Sequence, residues 1–286
     1  MPTQPISGND LARFSGPQTF MRLPQVDSAK GLNVGFIGVP MDIGTSWRSG
    51  TRMGPKQLRE QSAMIRPYNI QTGAAPFDAL ECADLGDVAI NTFSLSDTIR
   101  LITETYDAHL KHDFVPMSLG GDHSMTLPIL RSMAKKHGPL ALVHVDAHAD
   151  VNDEMFGEKE THGTVFRRAY EEGLIVPEKV FQIGLRGTGY TADDFTEAAG
   201  WGFNQYLAPD LWHKSLTPLA AEIKAKIGNH KTYVSYDIDS LDPSFAPGTG
   251  TPEIGGLTTM QAMELIRGLR GLHIVGCDLV EVSPPY

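Results

Sequence analysis

Short apolar runs alternate with longer amphipathic stretches along most of the chain. The apolar runs predict buried β-strands, and the stretches between them predict helices. The alternation of strand and helix predicts the α/β fold class, with a parallel sheet covered by helices on both faces. The predicted strands are residues 32–39, 81–85, 114–119, 140–146, 179–184, 232–239 and 272–282. The predicted helices are residues 55–63, 95–111, 125–136, 164–172, 192–199, 216–227 and 258–269.

The same pattern divides the chain into two parts. Residues 1–30 contain scattered prolines and glycines, which predict an N-terminal extended segment. No linker-like stretch interrupts residues 31–286, and we interpret them as a single domain. The chain stops at Tyr286, directly after the last predicted strand, where a sheet of this kind normally has a covering helix. We therefore expect a fragment that lacks its C-terminal helix.

Composition narrows the classes of function. The chain has 24 Lys and Arg residues against 34 Asp and Glu residues, a net charge of −10 that argues against binding nucleic acid. No apolar run approaches the roughly 18 residues of a membrane helix, and no leader peptide precedes the first strand, so a cytoplasmic location without membrane contact is expected. The two cysteines, Cys82 and Cys277, form no Cys-x-x-Cys pair, which argues against a thiolate zinc site.

Three clusters of aspartate and histidine follow predicted strands. Because ligands of open parallel sheets bind beyond the carboxyl ends of the strands, these clusters are the main candidates for chemistry. They are Gly120-Gly121-Asp122-His123, then His144-Val145-Asp146-Ala147-His148-Ala149-Asp150, then Asp237-Ile238-Asp239.

Polar residues fall at every second position in the second and third clusters, which places them on one face of a strand. Several carboxylates on one buried face would be strongly destabilising without a cation, so the pattern predicts metal binding. His144 lies deepest and is not expected to be a ligand. The candidate metal ligands are His123, Asp146, His148, Asp150, Asp237 and Asp239.

Four carboxylates are too many for one ion, whereas two ions that share bridging carboxylates would satisfy them. Oxygen-rich ligation with some imidazole favours Mn²⁺, although Ni²⁺, Co²⁺ and Zn²⁺ stay open. Two metals and a shared water indicate a hydrolase, because the metals lower the pKa of the water.

These clusters, followed by Asp242-Pro243 and Gly250-Thr251-Pro252, resemble the motifs of the ureohydrolases, the family of arginase and agmatinase. The resemblance implies a three-layer α/β/α fold with a central, mainly parallel sheet, over a ureohydrolase catalytic domain at 31–286. It also implies a homotrimer or homohexamer, two Mn²⁺ per subunit, and hydrolysis of a guanidino group to urea and an amine. One ion would be held by His123, Asp146, Asp150 and Asp237, and the other by Asp146, His148, Asp237 and Asp239.

The resemblance also assigns residues outside the three clusters. His162 matches the family's proton-shuttling histidine, which would protonate the leaving amine. Glu281 matches the glutamate that binds the guanidinium group. The metal ligand Asp239 is counted with these two as catalytic.

The loop after the second cluster bears on the substrate. Asn152 is retained from arginases, but Met155 and Phe156 replace small polar residues, which predicts an apolar cavity and disfavours arginine. Asn152 and Met155, with His162 and Glu281, are the predicted substrate-binding residues. Arg48, Arg52 and Lys159 are expected near the mouth, where they could meet a carboxylate.

Several stretches, among them 66–69, 72–77 and 246–256, are similar to the guanidinobutyrase type of guanidino acid hydrolase. The hypothesis is hydrolysis of 4-guanidinobutanoate to 4-aminobutanoate and urea. The alternatives are an agmatinase, which releases putrescine and urea, a guanidinopropionase, or hydrolysis of another amidine. A more remote alternative is a non-catalytic paralogous partner subunit.

Overall fold

The computed structural model of the protein describes residues 2–189, 191 and 193–286. The strands are β1 (Val34–Val39), β2 (Cys82–Asp87), β3 (Val115–Gly120), β4 (Leu140–Val145), β5 (Ile175–Leu185), β6 (Asn204–Leu207), β7 (Lys231–Asp237) and β8 (His273–Val280). The helices are α1 (Gly54–Ser62), α2 (Leu95–His109), α3 (Thr126–His137), α4 (Val165–Glu171), α5 (Asp193–Gly200), α6 (Ala208–Leu211), α7 (Thr217–Ile227) and α8 (Thr259–Gly268). Short 3-10 helices occupy Phe20–Arg22, Thr51–Met53, Pro76–Asp78, His123–Met125, His162–Thr164 and Ile238–Ser240.

The strands form one 8-stranded sheet in the order β2-β1-β3-β8-β7-β4-β5-β6. Every pairing in this sheet is parallel, which confirms the predicted α/β class. The predicted strands and helices are found close to their expected bounds; Ala192, the first residue of the predicted helix 192–199, lies outside the described residues. The pattern missed β6 and α6, because the edge strand Asn-Gln-Tyr-Leu pairs only with β5 and contains no apolar run.

Helices cover both faces of the sheet, and β4 shows how. Its alternate residues Leu140 and Leu142 belong to one core cluster, which includes side chains of α2, α3 and α4. The intervening Ala141, Val143 and Val145 belong to a second cluster with side chains of α7 and α8. This alternation yields the three layers that the resemblance implied.

Two central strands end earlier than predicted, and the early ends shape the candidate site. Strand β7 ends at Asp237 and passes into the 3-10 helix Ile238–Ser240, whereas the prediction continued it to residue 239. Strand β8 ends at Val280, and Glu281 adopts a positive φ of 60°. After each of these two strands the chain therefore turns at the carboxyl edge of the sheet and places an acidic side chain above it.

The N-terminal segment lies against the sheet edge and contains little regular structure. Its Gln25 forms an isolated parallel bridge with Asp84 in β2. The buried guanidinium of Arg22 donates hydrogen bonds to the carbonyl oxygens of Ile6 and Leu11 at 2.5 and 2.9 Å, which ties the segment to itself. Among the described residues, no helix is both long and apolar enough to cross a membrane.

Candidate metal centre

Three of the four central strands, β3, β7 and β4, deliver the six predicted ligands to one edge of the sheet. His123 follows β3, Asp146 to Asp150 follow β4, and Asp237 and Asp239 follow β7. After β3 the chain must turn tightly: a Cβ on Gly121 would lie 2.5 Å from the carbonyl oxygen of Val39, so only glycine fits there.

The first group of ligands surrounds His123. Its Nδ1 lies 3.1 Å from Asp146 Oδ2, 3.0 Å from Asp150 Oδ2 and 3.3 Å from Asp237 Oδ2. His123 is 1% exposed, and its Nδ1 has no hydrogen-bond partner in the structure. Neighbouring ligand atoms of an octahedral ion with bonds of about 2.1 Å lie about 3 Å apart. The spacing and the unpartnered nitrogen therefore fit a divalent cation bound among these atoms.

The orientation of His123 is set by two residues that the sequence analysis did not name. His123 Nε2 lies 2.9 Å from Ser235 Oγ, and Ser235 Oγ donates to Asp278 Oδ1 at 2.7 Å. Because the serine proton is used by Asp278, Ser235 accepts from His123 Nε2–H, and Nδ1 is left with a free lone pair. This lone pair faces the three carboxylates.

The second group surrounds His148. Its Nδ1 lies 3.2 Å from Asp239 Oδ2 and 3.5 Å from Asp146 Oδ1. Asp146 thus presents one oxygen to each group, as the predicted bridging role requires. The structure places Asp237 beside His123, and no contact between Asp237 and His148 is found among the described residues.

Electrostatics at this edge call for a cation. Burial and then the charges of Asp239 and Asp146 raise the pKa of Asp237 well above its usual value. Burial lowers the pKa of His148, but the carboxylates of Asp239 and Asp146 outweigh it and raise that pKa well above its usual value. A bound divalent cation would allow the carboxylates to ionise together and the imidazoles to stay neutral.

His144 lies beside the first group but points its nitrogens elsewhere. Its Nε2 is 2.7 Å from Asp146 Oδ2, and its Nδ1 accepts a hydrogen bond from Gln182 at 3.1 Å. With both nitrogens in hydrogen bonds, His144 has no lone pair free for a metal. This agrees with the expectation that it is not a ligand.

His162 and Glu281 meet above the first group. His162 Nδ1 lies 3.7 Å from Glu281 Oε1, and its Nε2 lies 2.7 Å from Ser46 Oγ. Burial lowers the pKa of His162, but the Glu281 carboxylate outweighs it and raises that pKa to about 9. Burial raises the pKa of Glu281 as well, so its charge depends on a nearby cation.

Two of the six non-glycine residues with positive φ in the described part of the chain lie at this edge. Asp150 and Glu281 have positive φ angles of 53° and 60°, a region that non-glycine residues seldom adopt. Their surroundings hold them there: Asp150 O accepts from Phe166 N at 3.0 Å, and Glu281 N donates to Gly121 O at 2.9 Å. Such conformations are typical of functional sites.

A cavity of ≈ 230 Å³ opens beside His148 and His162, and its lining includes Asn152, Met155 and Thr188. It is smaller than the roughly 300–1,000 Å³ pockets that hold drug-sized ligands, so it suits a small molecule. Glu281 does not line this cavity and is 2% exposed, since it lies behind His162.

Two expectations about the cavity are wrong. Phe156 does not line it: the residue is 91% exposed, at the tip of a tight turn in which Phe156 and Gly157 have φ angles of 54° and 80°. None of the three expected mouth cations lines the cavity either. Arg52 pairs with Asp42, Lys159 pairs with Asp153, and Arg48 lies over the ring of Tyr286.

Arg186 is a lining residue that sequence reasoning missed. Its buried guanidinium donates to the carbonyl oxygens of Asp239 and Glu253 at 2.6 and 2.7 Å, and so ties β5 to the loop after the third cluster. Asp242 holds the same loop by accepting from the backbone nitrogen of Gly255 at 2.7 Å. A sequence signal for such residues exists only where a lone polar residue interrupts an apolar strand, as Asp278 does in β8.

Comparison with known proteins agrees with this geometry. The sequence model of the Arginase family matches residues 32–286. A guanidinobutyrase from Pseudomonas aeruginosa is 61% identical over 286 residues, which is 99% of this chain and 90% of that protein. The chain belongs to the arginase family.

Further relatives place this arginase-family chain among enzymes of related activity. A mitochondrial agmatinase from Gallus gallus is 52% identical over 282 residues, 99% of this chain and 83% of that protein. The solved structure of a proclavaminate amidino hydrolase from Streptomyces clavuligerus superposes with a TM-score of 0.91 at 40% identity, over 96% of this chain and 91% of that one. The protein is accordingly a hydrolase of C–N bonds in linear amidines.

Proposed function

We propose that this arginase-family hydrolase cleaves 4-guanidinobutanoate into urea and 4-aminobutanoate with two Mn²⁺ ions bound at the candidate metal centre. The observation that carries the proposal is the unpartnered Nδ1 of His123 among three buried carboxylates, next to a cavity of the size of a small linear molecule. The 61% identity to a guanidinobutyrase supports the choice of substrate.

Six residues would hold the metals, and the donor set of four carboxylates and two imidazoles suits a hard ion such as Mn²⁺. They are His123, Asp146, His148, Asp150, Asp237 and Asp239. When bound, two divalent ions supply the Lewis acidity that activates a water molecule for attack on the guanidinium carbon.

His162 would supply the proton that the leaving amine needs. The Glu281 carboxylate outweighs burial and raises the pKa of His162 to about 9, which favours the protonated imidazole that a general acid requires. Glu281 stabilises that charge across 3.7 Å. Its second oxygen, Oε2, lies near Gly250 and is the atom that would bind the guanidinium.

The cavity wall supports the proposal of an acid rather than an amine as substrate. Asn152 and Met155 converge on Gly163, where a Cβ would lie 3.1 Å from Asn152 Nδ2 and 2.6 Å from Met155 Sδ. Met155 offers an apolar contact for the methylene chain, and the Asn152 amide, which has no other partner among the described residues, can donate to a carboxylate. Asp194, which also lines the cavity, accepts a hydrogen bond from the backbone nitrogen of Thr191 at 3.3 Å.

A urea-release assay after Mn²⁺ loading tests the substrate, with 4-guanidinobutanoate, 3-guanidinopropionate, agmatine and L-arginine compared and Ni²⁺, Co²⁺ and Zn²⁺ loaded in parallel. We expect the highest kcat/KM on 4-guanidinobutanoate. A clear preference for agmatine or arginine overturns the substrate assignment and leaves the family unchanged.

A charge change at the cavity wall sharpens this test. Asn152→Asp places a carboxylate where the substrate's own carboxylate would bind, so the ratio of kcat/KM for 4-guanidinobutanoate over agmatine should fall by about tenfold or more. The control is Asn229→Asp, the same change in an exposed loop before β7, which should leave the ratio unchanged. An unchanged ratio in Asn152→Asp would remove this residue from substrate recognition.

The urea-release assay distinguishes the alternative functions. Agmatinase or guanidinopropionase activity would use the same metal centre and would differ in the contacts that the cavity wall makes to the substrate. The non-catalytic partner is not favoured, because all six ligands and His162 are present and assembled. Assembly as a homotrimer or homohexamer, and a cytoplasmic location, stay predictions; light scattering of the purified protein tests the first.

A further inference from the structure

Four side chains form a buried row of hydrogen bonds from the edge strand β6 to the metal centre. Gln205 Nε2 donates to Gln182 Oε1 at 3.0 Å, and Gln182 Nε2 lies 3.1 Å from His144 Nδ1. His144 Nε2 in turn lies 2.7 Å from Asp146 Oδ2. Gln182, His144 and Asp146 are all 0% exposed, so no water competes for these bonds.

The direction of each bond in this row follows from its neighbours. Gln182 Nε2 also lies 2.7 Å from the carbonyl oxygen of Ala149, which can only accept, so this end of the side chain is the amide nitrogen. His144 Nδ1 therefore accepts from Gln182, and the ring proton of neutral His144 is on Nε2. His144 must then donate to Asp146.

The two oxygens of Asp146 are consequently held from opposite sides. Oδ2 accepts a hydrogen bond from His144 Nε2 and faces His123. Oδ1 accepts a hydrogen bond from the backbone nitrogen of His148 at 2.6 Å. The ring of His144 packs on Phe166, with centroids 4.1 Å apart, so it cannot turn to another partner. The carboxylate plane is thereby fixed with one oxygen toward each group of ligands.

We propose that Gln182 is a positioning residue, which orients the bridging carboxylate of Asp146 by holding His144 in the tautomer that donates to it. The inference rests on the proposed metal-binding function. Residues that orient metal ligands through hydrogen bonds are typically worth 10–100-fold in metal affinity. Gln182 touches neither metal nor substrate, so its effect must pass through His144.

The test compares three glutamine variants of the full-length protein. Gln182→Met keeps the length of the side chain but cannot donate to His144. Gln205→Met removes only the far end of the row. Gln261→Met is the matched control, because Gln261 is also buried and also donates to a carbonyl oxygen, that of Leu211 at 2.7 Å, but belongs to the start of α8.

Two measurements besides activity are needed. Ring ¹⁵N shifts of His144 in the metal-free protein report the tautomer, and calorimetric titration with Mn²⁺ reports affinity. We expect Gln182→Met to lose the single Nε2–H tautomer and to bind Mn²⁺ about 10–100-fold more weakly. Gln205→Met should change both much less, and Gln261→Met should lower only thermal stability. Among the kinetic constants, kcat at limiting Mn²⁺ should fall while KM changes little.

An unchanged tautomer together with an unchanged Mn²⁺ affinity in Gln182→Met overturns the proposal, as does an equal loss in Gln261→Met. If Gln182→Met does not fold, Gln182→Asn replaces it, since its amide is one methylene too short to reach His144 and Ala149 together. Wild-type protein that binds no Mn²⁺ would contradict the proposed function instead. The tautomer measurement separates the two failures, because it needs no metal.

Discussion

The floor and the wall of the cavity differ in how their residues are held. On the floor, His123, Asp146 and Asp237 are almost fully buried, and each side chain is fixed by a buried hydrogen bond, from Ser235, His144 and the backbone of Asp239 respectively. On the wall, Asn152 and Met155 belong to a partly exposed loop that closes on itself. On the proposed function, the hydrolytic chemistry and the substrate preference would therefore be built from separable parts of the chain.

The largest effect is expected when a predicted metal ligand of the floor is replaced. Asp146→Ala removes the carboxylate shared by both groups of ligands, so the variant should lose both metals and about a thousandfold or more of kcat. Metal content by atomic emission and urea release are the measurements. Asp153→Ala, which removes an exposed acid of the wall loop, is the control and should keep both metals. Two Mn²⁺ retained in Asp146→Ala would refute the bridging role.

A smaller loss is expected at the boundary between floor and wall. His162→Phe removes the proposed general acid without touching a ligand, so metal content should stay at the wild-type level while kcat falls about 10²–10⁴-fold. The variant is compared with wild type at pH 7 under saturating substrate. An unchanged kcat would exclude His162 from the mechanism.

Glu281, the partner of His162, should affect the pH dependence of kcat. The negative charge of Glu281 raises the pKa of His162 to about 9, so the acid is lost as pH rises through that value. In Glu281→Gln the pKa of His162 should fall, and the alkaline limb of the kcat profile should move to lower pH. KM should rise as well if Oε2 binds the guanidinium, because a charged hydrogen bond becomes neutral. A KM effect with an unmoved limb would assign Glu281 to the substrate alone.

The smallest effect is expected on the wall itself. Met155→Ala removes one apolar contact to the methylene chain, which is worth about 1–2 kcal/mol, so kcat/KM should fall about 5–30-fold while metal content is unchanged. Its neighbour Phe156 is the matched control, because a side chain that is 91% exposed should leave kcat/KM unchanged when replaced by alanine. Equal losses in the two variants would mean that the loop acts as a lid rather than as a wall.

The floor could be predicted from the sequence because its ligands obey a local rule. Polar residues that directly follow apolar strands lie at the carboxyl edge of a parallel sheet, which groups Asp146, His148 and Asp150 with Asp237 and Asp239. The predicted alternation along a strand was the wrong reason, because β4 ends at Val145 and β7 at Asp237, so most of these residues lie in the turns that follow. The fold class followed from the alternation of predicted strands and helices.

The residues that orient the floor could not be predicted, because their partners come from distant strands. Ser235 and Asp278 meet only through the pairing of β7 with β8, and Gln182 meets His144 only through the pairing of β4 with β5. The prediction that Phe156 contributes to the cavity was wrong, because the direction of its side chain depends on a positive φ that few bulky residues adopt. Arg52 and Lys159 were misplaced because each has an acidic partner away from the cavity.

The turn that carries Phe156 is closed by two backbone hydrogen bonds between Met155 and Glu158, both 2.9 Å long. With positive φ at both tip residues it has the geometry of a self-contained two-residue hairpin. A segment of this kind can be exchanged as a cassette, since its ends stay where they are whatever the tip contains. The exposed tip can thus change its sequence without moving Met155 or the metal ligands, so it is free to vary independently of the cavity.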